Sequence, residues 1–175
     1  MKYYLLFIIA LFNLNFSNAQ EKMTLKGGKQ LPATAIFEFF CENYHYDSLL
    51  DIQFAKTDKG GFMKLAIDVS NDQLYIGGRI YIILSNGNSI YCTDKGIREN
   101  KNGQSIAYYN LSSAEMSLLK KFTIENIRFR IMGKTSDFSS EIGFFTASNK
   151  KQLLNPFDNS SNKIDTKSIL KSLPN

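Results

Sequence analysis

The residues with the most specific chemistry in this chain are Cys41, His45 and Cys92. His45 is the single histidine of the 175 residues, and Cys41 stands four positions before it. On a helix that spacing brings a thiol and an imidazole to one face. In a strand the two also share a face but lie farther apart. Phe39-Phe40-Cys41 reads as strand, and no third group that would orient the imidazole is identifiable. A metal centre built from Cys41, His45, Cys92 and a carboxylate lacks the ligand spacing of zinc sites. The acids Glu38, Glu42, Asp47, Asp51, Asp68, Asp94 and Glu99 are dispersed singly. Any two that met across a cleft would form a hydrolytic pair, but most fall where a strand turns its wet face outward. Glycine-rich phosphate loops, nucleophile elbows and zinc-protease helix motifs are absent from the sequence. No catalytic residue, cofactor or metal ligand is assigned.

Binding chemistry is better represented. Arg128 and Arg130 alternate on one strand face and would grip carboxylate or phosphate. Phe40, Tyr44 and Tyr46 lie close together in sequence and form a candidate exposed aromatic patch, whereas Phe37 and Phe39 alternate into a core. The chain lacks tryptophan, the best stacking platform, which argues against a carbohydrate ligand.

The first nineteen residues bear on compartment. Lys2 precedes the apolar run Tyr3–Phe16, and Ser17-Asn18-Ala19 offers the small residues of a cleavage site. The expectation is a cleaved signal peptide, a mature chain starting near Gln20, and a secreted or periplasmic destination. No downstream segment is long and apolar enough for a helical span. In an oxidising compartment Cys41 and Cys92 are a candidate disulfide, which would stabilise the fold by about 4 kcal/mol on the chain-entropy model. The net charge of +5 comes largely from the end of the chain, where Lys150, Lys151, Lys163, Lys167 and Lys171 face only Asp158 and Asp165. A basic stripe on the folded domain is lacking, which argues against a nucleic-acid partner.

The positioning elements follow from periodicity. Residues 20–34 read as a polar lead-in, 35–155 as a single β-rich domain, and 156–175 as a polar basic tail. A first strand spans 35–44. Leu50, Ile52 and Phe54 alternate with polar residues, as do Met63, Leu65 and Ile67, around a turn at 57–61. Ile80–Leu84 and Ser89–Thr93 flank the tight turn Asn86-Gly87. Residues 94–104 read as an exposed loop, and strands follow at 105–109, 127–131 and 142–146. Ser112 and Glu115 form a capping-box signature for a helix over about 113–121. Ile164, Ile169, Leu170 and Leu173 outline a short C-terminal helix. The expected class is α+β, mainly β: an antiparallel sheet or sandwich of about eight short strands with one well-signalled helix.

The stretch from Arg79 to Ile131 resembles a module of small exported bacterial proteins of unknown function. The residues that carry the resemblance are Tyr81–Leu84, the Asn86-Gly87-Asn88 turn, Ile90–Cys92, the Tyr109-Asn110-Leu111-Ser112 lead into the helix, and Ile127-Arg128-Phe129. The resemblance implies a structural module and carries over no catalytic residue. The expected function is that of an exported, soluble, non-enzymatic module binding an unknown protein or small ligand. The alternatives are a secreted hydrolase using dispersed carboxylates and a periplasmic inhibitor or immunity-type protein.

Overall fold

The computed structural model describes residues 21–42, 48–133, 141–150 and 163–174. The main sheet has ten strands, all paired antiparallel. In chain order the strands are β1 (Lys22–Thr24), β2 (Gln30–Pro32), β3 (Phe37–Glu42), β4 (Leu49–Thr57), β5 (Gly60–Asp68), β6 (Leu74–Ile76), β7 (Ile80–Leu84), β8 (Ser89–Cys92), β9 (Arg98–Lys101), β10 (Gln104–Ser112), β11 (Ile124–Gly133) and β12 (Gly143–Ser148). Helix α1 (Ser113–Lys121) follows β10, and α2 (Thr166–Lys171) lies near the C-terminus. The mainly β, antiparallel α+β expectation holds. The described strands number twelve rather than about eight, because β1, β2, β6 and β9 are three or four residues long and too short to show a period.

The spatial order is β8-β7-β11-β12-β3-β4-β5-β10-β9, with β6 paired to β11 off this path. The sheet curls until β10 approaches β6 and β8. Its concave face holds one continuous apolar core that includes Phe39, Phe54, Leu65, Ile82, Ile127 and Phe129. Side chains, not a ladder, stitch the seam. The Ile76 amide donates to Ser105 Oγ at 2.8 Å, and Asn100 Nδ2 donates to the Leu74 carbonyl at 2.9 Å. Tyr109 Oη donates to the Gly78 carbonyl at 3.2 Å.

Both sequence-predicted hairpins form. Between β4 and β5 the two turn residues are Asp58 and Lys59, since Thr57 pairs with Gly60. Gly60 and Gly61 therefore begin the returning strand, where contact demands glycine. A Cβ on Gly60 would collide with the Leu111 carbonyl oxygen, and one on Gly61 would sit 2.7 Å from Met116 Sδ. Helix α1 packs there, its N-terminus held by the capping box: the Glu115 amide donates to Ser112 Oγ and the Ser112 amide to Glu115 Oε2.

Two segments differ from expectation, and in a third the expected C-terminal helix forms and joins the core. The polar lead-in contains the β1–β2 hairpin, which turns at Gly27-Gly28, both at positive φ. Met23, Leu31 and Ala33 bury against Ala55, Ala66, Ile106 and Tyr108 on the convex side of the sheet, forming a second core. The expected loop at 94–104 includes β9, paired with β10. Within the basic tail, α2 sends Leu170 and nearby Leu173 into the main core. Asn149 ties this segment down. Its Nδ2 donates to the carbonyls of Ile124 and Ile164, its Oδ1 accepts from the Ile164 amide, and Thr166 Oγ1 accepts from the Ile124 amide.

Candidate functional site

Alternation along β7, β8, β11 and β12 decides which side chains face out. Ile80, Ile82 and Leu84 point into the core, so Tyr81 and Ile83 point away from it; Ile90 and Cys92 leave Tyr91 outside in the same way. On β11, Ile127, Phe129 and Ile131 are buried while Arg128 and Arg130 are exposed. Register then assembles these residues into rows. Tyr91 pairs with Tyr81, Tyr81 with Arg128 and Arg128 with Thr146, while Arg130 pairs with Phe144.

The result is a convex face rich in tyrosine, phenylalanine and arginine, with no described element above it. The Tyr81 and Tyr91 rings meet edge to face at 5.3 Å between centroids, and the Arg130 guanidinium lies 5.3 Å from the centre of the Phe144 ring. Phe144 is 66% exposed and Tyr91 59%, a large cost in apolar hydration for residues with no described element above them. Arg128 and Arg130 bring positive charge to the face. At its rim the carboxylate of Glu125 is paired with Lys163.

Of the five residues singled out for binding, the structure brings three to this convex surface. Arg128 and Arg130 form its centre. Phe40 is half-buried on β3, where it pairs with Ser148 of β12. Tyr44 and Tyr46 lie outside the described residues, as does His45. Sequence reasoning missed Tyr81, Tyr91 and Phe144. Alternation against the buried neighbours of Tyr81 and Tyr91 was a signal for both. Phe144 and Phe145 are adjacent, and only pairing with Arg130 decides that Phe144 faces out.

Cys41 and Cys92 are buried, and no disulfide joins them. They sit on β3 and β8, four inter-strand spacings apart in the sheet order. Burial, with Glu115 nearby, pushes the Cys92 thiol up to about 12, so it stays protonated and unreactive near neutral pH.

The dispersed carboxylates converge in one place. Asp51 has Glu38 and Asp68 as neighbours, and burial followed by these two charges raises its pKa. The space beside it measures about 10 Å³, room for one water. Among the described residues no group of three or more His, Cys, Asp or Glu side chains is arranged to hold a metal.

A second concave feature lies where the β1–β2 hairpin rests on the sheet. This open groove of about 480 Å³ is bordered by Lys22, Lys26, Lys64 and Lys101 and by two glutamates, Glu21 and Glu99. Tyr108 Oη donates to Glu99 Oε1 at 2.9 Å, and Lys26 Nζ donates to the Arg98 carbonyl at 3.3 Å. Burial and the Glu99 carboxylate push the Tyr108 hydroxyl well above its ordinary pKa, so it remains a hydrogen-bond donor.

Among the described residues, no helix is long and apolar enough to cross a membrane. Comparison with protein-family models, curated proteins and solved structures found no match to this chain.

Proposed function

We propose that this chain is an exported bacterial binding module, non-enzymatic, that docks a partner protein with an acidic surface on the convex face of β7, β8, β11 and β12. The observation that carries this reading is the exposed cluster of Tyr91, Phe144, Arg128 and Arg130 on a regular, well-supported sheet. Tyrosine, phenylalanine and arginine are the residues enriched at interface centres. The face is rigid, because every one of its strands buries its other side in the core, so little ordering opposes binding. Its two guanidiniums call for carboxylates on the partner. Export is supported by the leader-like sequence of residues 1–19. A hydrolase reading finds less support, since among the described residues Asp51, the partly buried member of the Glu38–Asp51–Asp68 group, borders a space of about 10 Å³.

The test is capture of a stoichiometric partner from the cell envelope by immobilised mature protein. The expected result is a saturable complex that weakens with added salt. It should be lost in R128E/R130E and weakened at least tenfold in Phe144→Ala, while Lys101→Gln leaves it intact. A complex that survives R128E/R130E, or the absence of any complex, overturns the docking assignment. N-terminal sequencing of protein recovered from the periplasm or medium tests export, with Gln20 expected as the first residue.

A further inference from the structure

We infer that the groove between the N-terminal hairpin and the sheet is a second binding site, for a small polyanion carrying at least two carboxylate or phosphate groups. The groove is built by three separate elements. Its floor is the row Gln53–Lys64–Tyr108, set by the register of β4, β5 and β10. Its roof brings Lys22 and Lys26 from β1 and the following turn, and its far wall brings Lys101 from β9.

Four lysines thus line one concavity from segments as distant in sequence as residues 22 and 101, against two glutamates in its lining and the Asp51 carboxylate beside Lys64. Hairpin docking does not require them. Met23 and Leu31 supply that contact from the opposite side of their strands, and gathered like charges work against it. Glu99 is already engaged by the Tyr108 hydroxyl, and Lys26 is oriented by the Arg98 carbonyl. Among the described residues, the side chains of Lys22 and Lys101 make no ion pair.

Lys64 is half-buried on a floor flanked by the buried Ala66 and Ile106, where partial exclusion of water strengthens attraction to an anion. Ile36, 54% exposed, adds an apolar edge. The volume of about 480 Å³ falls in the range of small-molecule sites. More than one lysine can reach a ligand of that size, which selects multiple anionic groups over one. This site does not depend on the protein-docking face, from which it is separated by β3 in the sheet order.

The experiment is a backbone-amide NMR titration of the mature protein with citrate and, separately, with pyrophosphate. Saturable shifts confined to Gln53, Lys64, Lys101, Asn102 and Tyr108 are expected with at least one of the two. The responding anion identifies a carboxylate or a phosphate ligand. K64Q/K101Q should weaken binding at least tenfold, while Lys120→Gln on α1 leaves it unchanged. Should the double variant lose its folded spectrum, Lys101→Gln alone, at an exposed position, is expected to weaken binding at least threefold. Response to neither anion, shifts that never saturate, shifts shared by all exposed lysines, or undiminished binding in a folded variant overturns the assignment.

Discussion

The two halves of the sheet share one core but differ on their convex side. Over β4, β5 and β10 the convex positions include Ala55, Ala66, Ile106 and Tyr108, sealed beneath Met23 and Leu31 of the hairpin. Over β7, β8, β11 and β12 the corresponding positions are Tyr81, Tyr91, Arg128, Arg130 and Phe144, with no described element above them. Small aliphatic residues let one half accept a close-lying cover. Bulky aromatics and guanidiniums on the other half resist intramolecular covering and suit a partner that arrives from outside. The first half uses its outer face for stability, and the second offers its own to the partner proposed above.

The sharpest way to break this comparison is to undock the cover. Met23 is 1% exposed, and Met23→Ala is expected to destabilise the protein by about 3 kcal/mol. Denaturant titration should show this, together with increased dye binding by the newly exposed convex apolar surface. An unchanged midpoint would mean that the hairpin does not contribute to the folded unit.

A smaller effect is expected where the halves join. Ser105 is fully buried and accepts the Ile76 amide across the seam. Ser105→Ala leaves that amide unpaired, at a cost of about 1–3 kcal/mol. Hydrogen exchange should quicken at Ile76 before it does at β4 or β5. Equal protection at Ile76 in the two proteins would show that the seam has another closure.

On the bare half, Phe144→Ala should shift stability by no more than about 0.5 kcal/mol, because its ring is two-thirds exposed. A loss comparable to that of Met23→Ala would show that Phe144 is a structural residue.

The smallest effect concerns Asp51. Its folded carboxyl titrates above the ordinary aspartate value, first because of burial and then because of Glu38 and Asp68. Folding therefore disfavours its charged form. That destabilisation is complete above the folded pKa and is relieved as pH falls through it. Asp51→Asn should raise the thermal midpoint slightly at pH 7, and the gain should shrink on acidification through the window just above the ordinary aspartate value. A gain independent of pH would assign the effect to packing.

Much of the fold was legible because its local signals agree with its global arrangement. The alternation of β4, β5 and β11, the Asn86-Gly87 turn and the Ser112–Glu115 capping box each act within a few residues. The N-terminal hairpin was hidden because its outer side is polar and its strands have three residues each. The C-terminal helix was visible only as a short apolar pattern, since its hold on the core depends on Asn149 and Thr166 reaching Ile124. The candidate face was half legible. Arg128 and Arg130 followed from alternation, but their aromatic neighbours come from strands up to 47 positions away in sequence, at Tyr81.

The sequence by itself determined which side of each long strand is apolar, where the chain turns, and where α1 begins, because these are short-range effects of side-chain period, backbone freedom and capping. Tertiary structure alone decided which convex half is covered. It also decided that Cys41 and Cys92 stand four strands apart, and that Tyr91, Tyr81 and Arg128 form one row. Strand order and register between distant segments set those outcomes, and neither is encoded in any local window of residues.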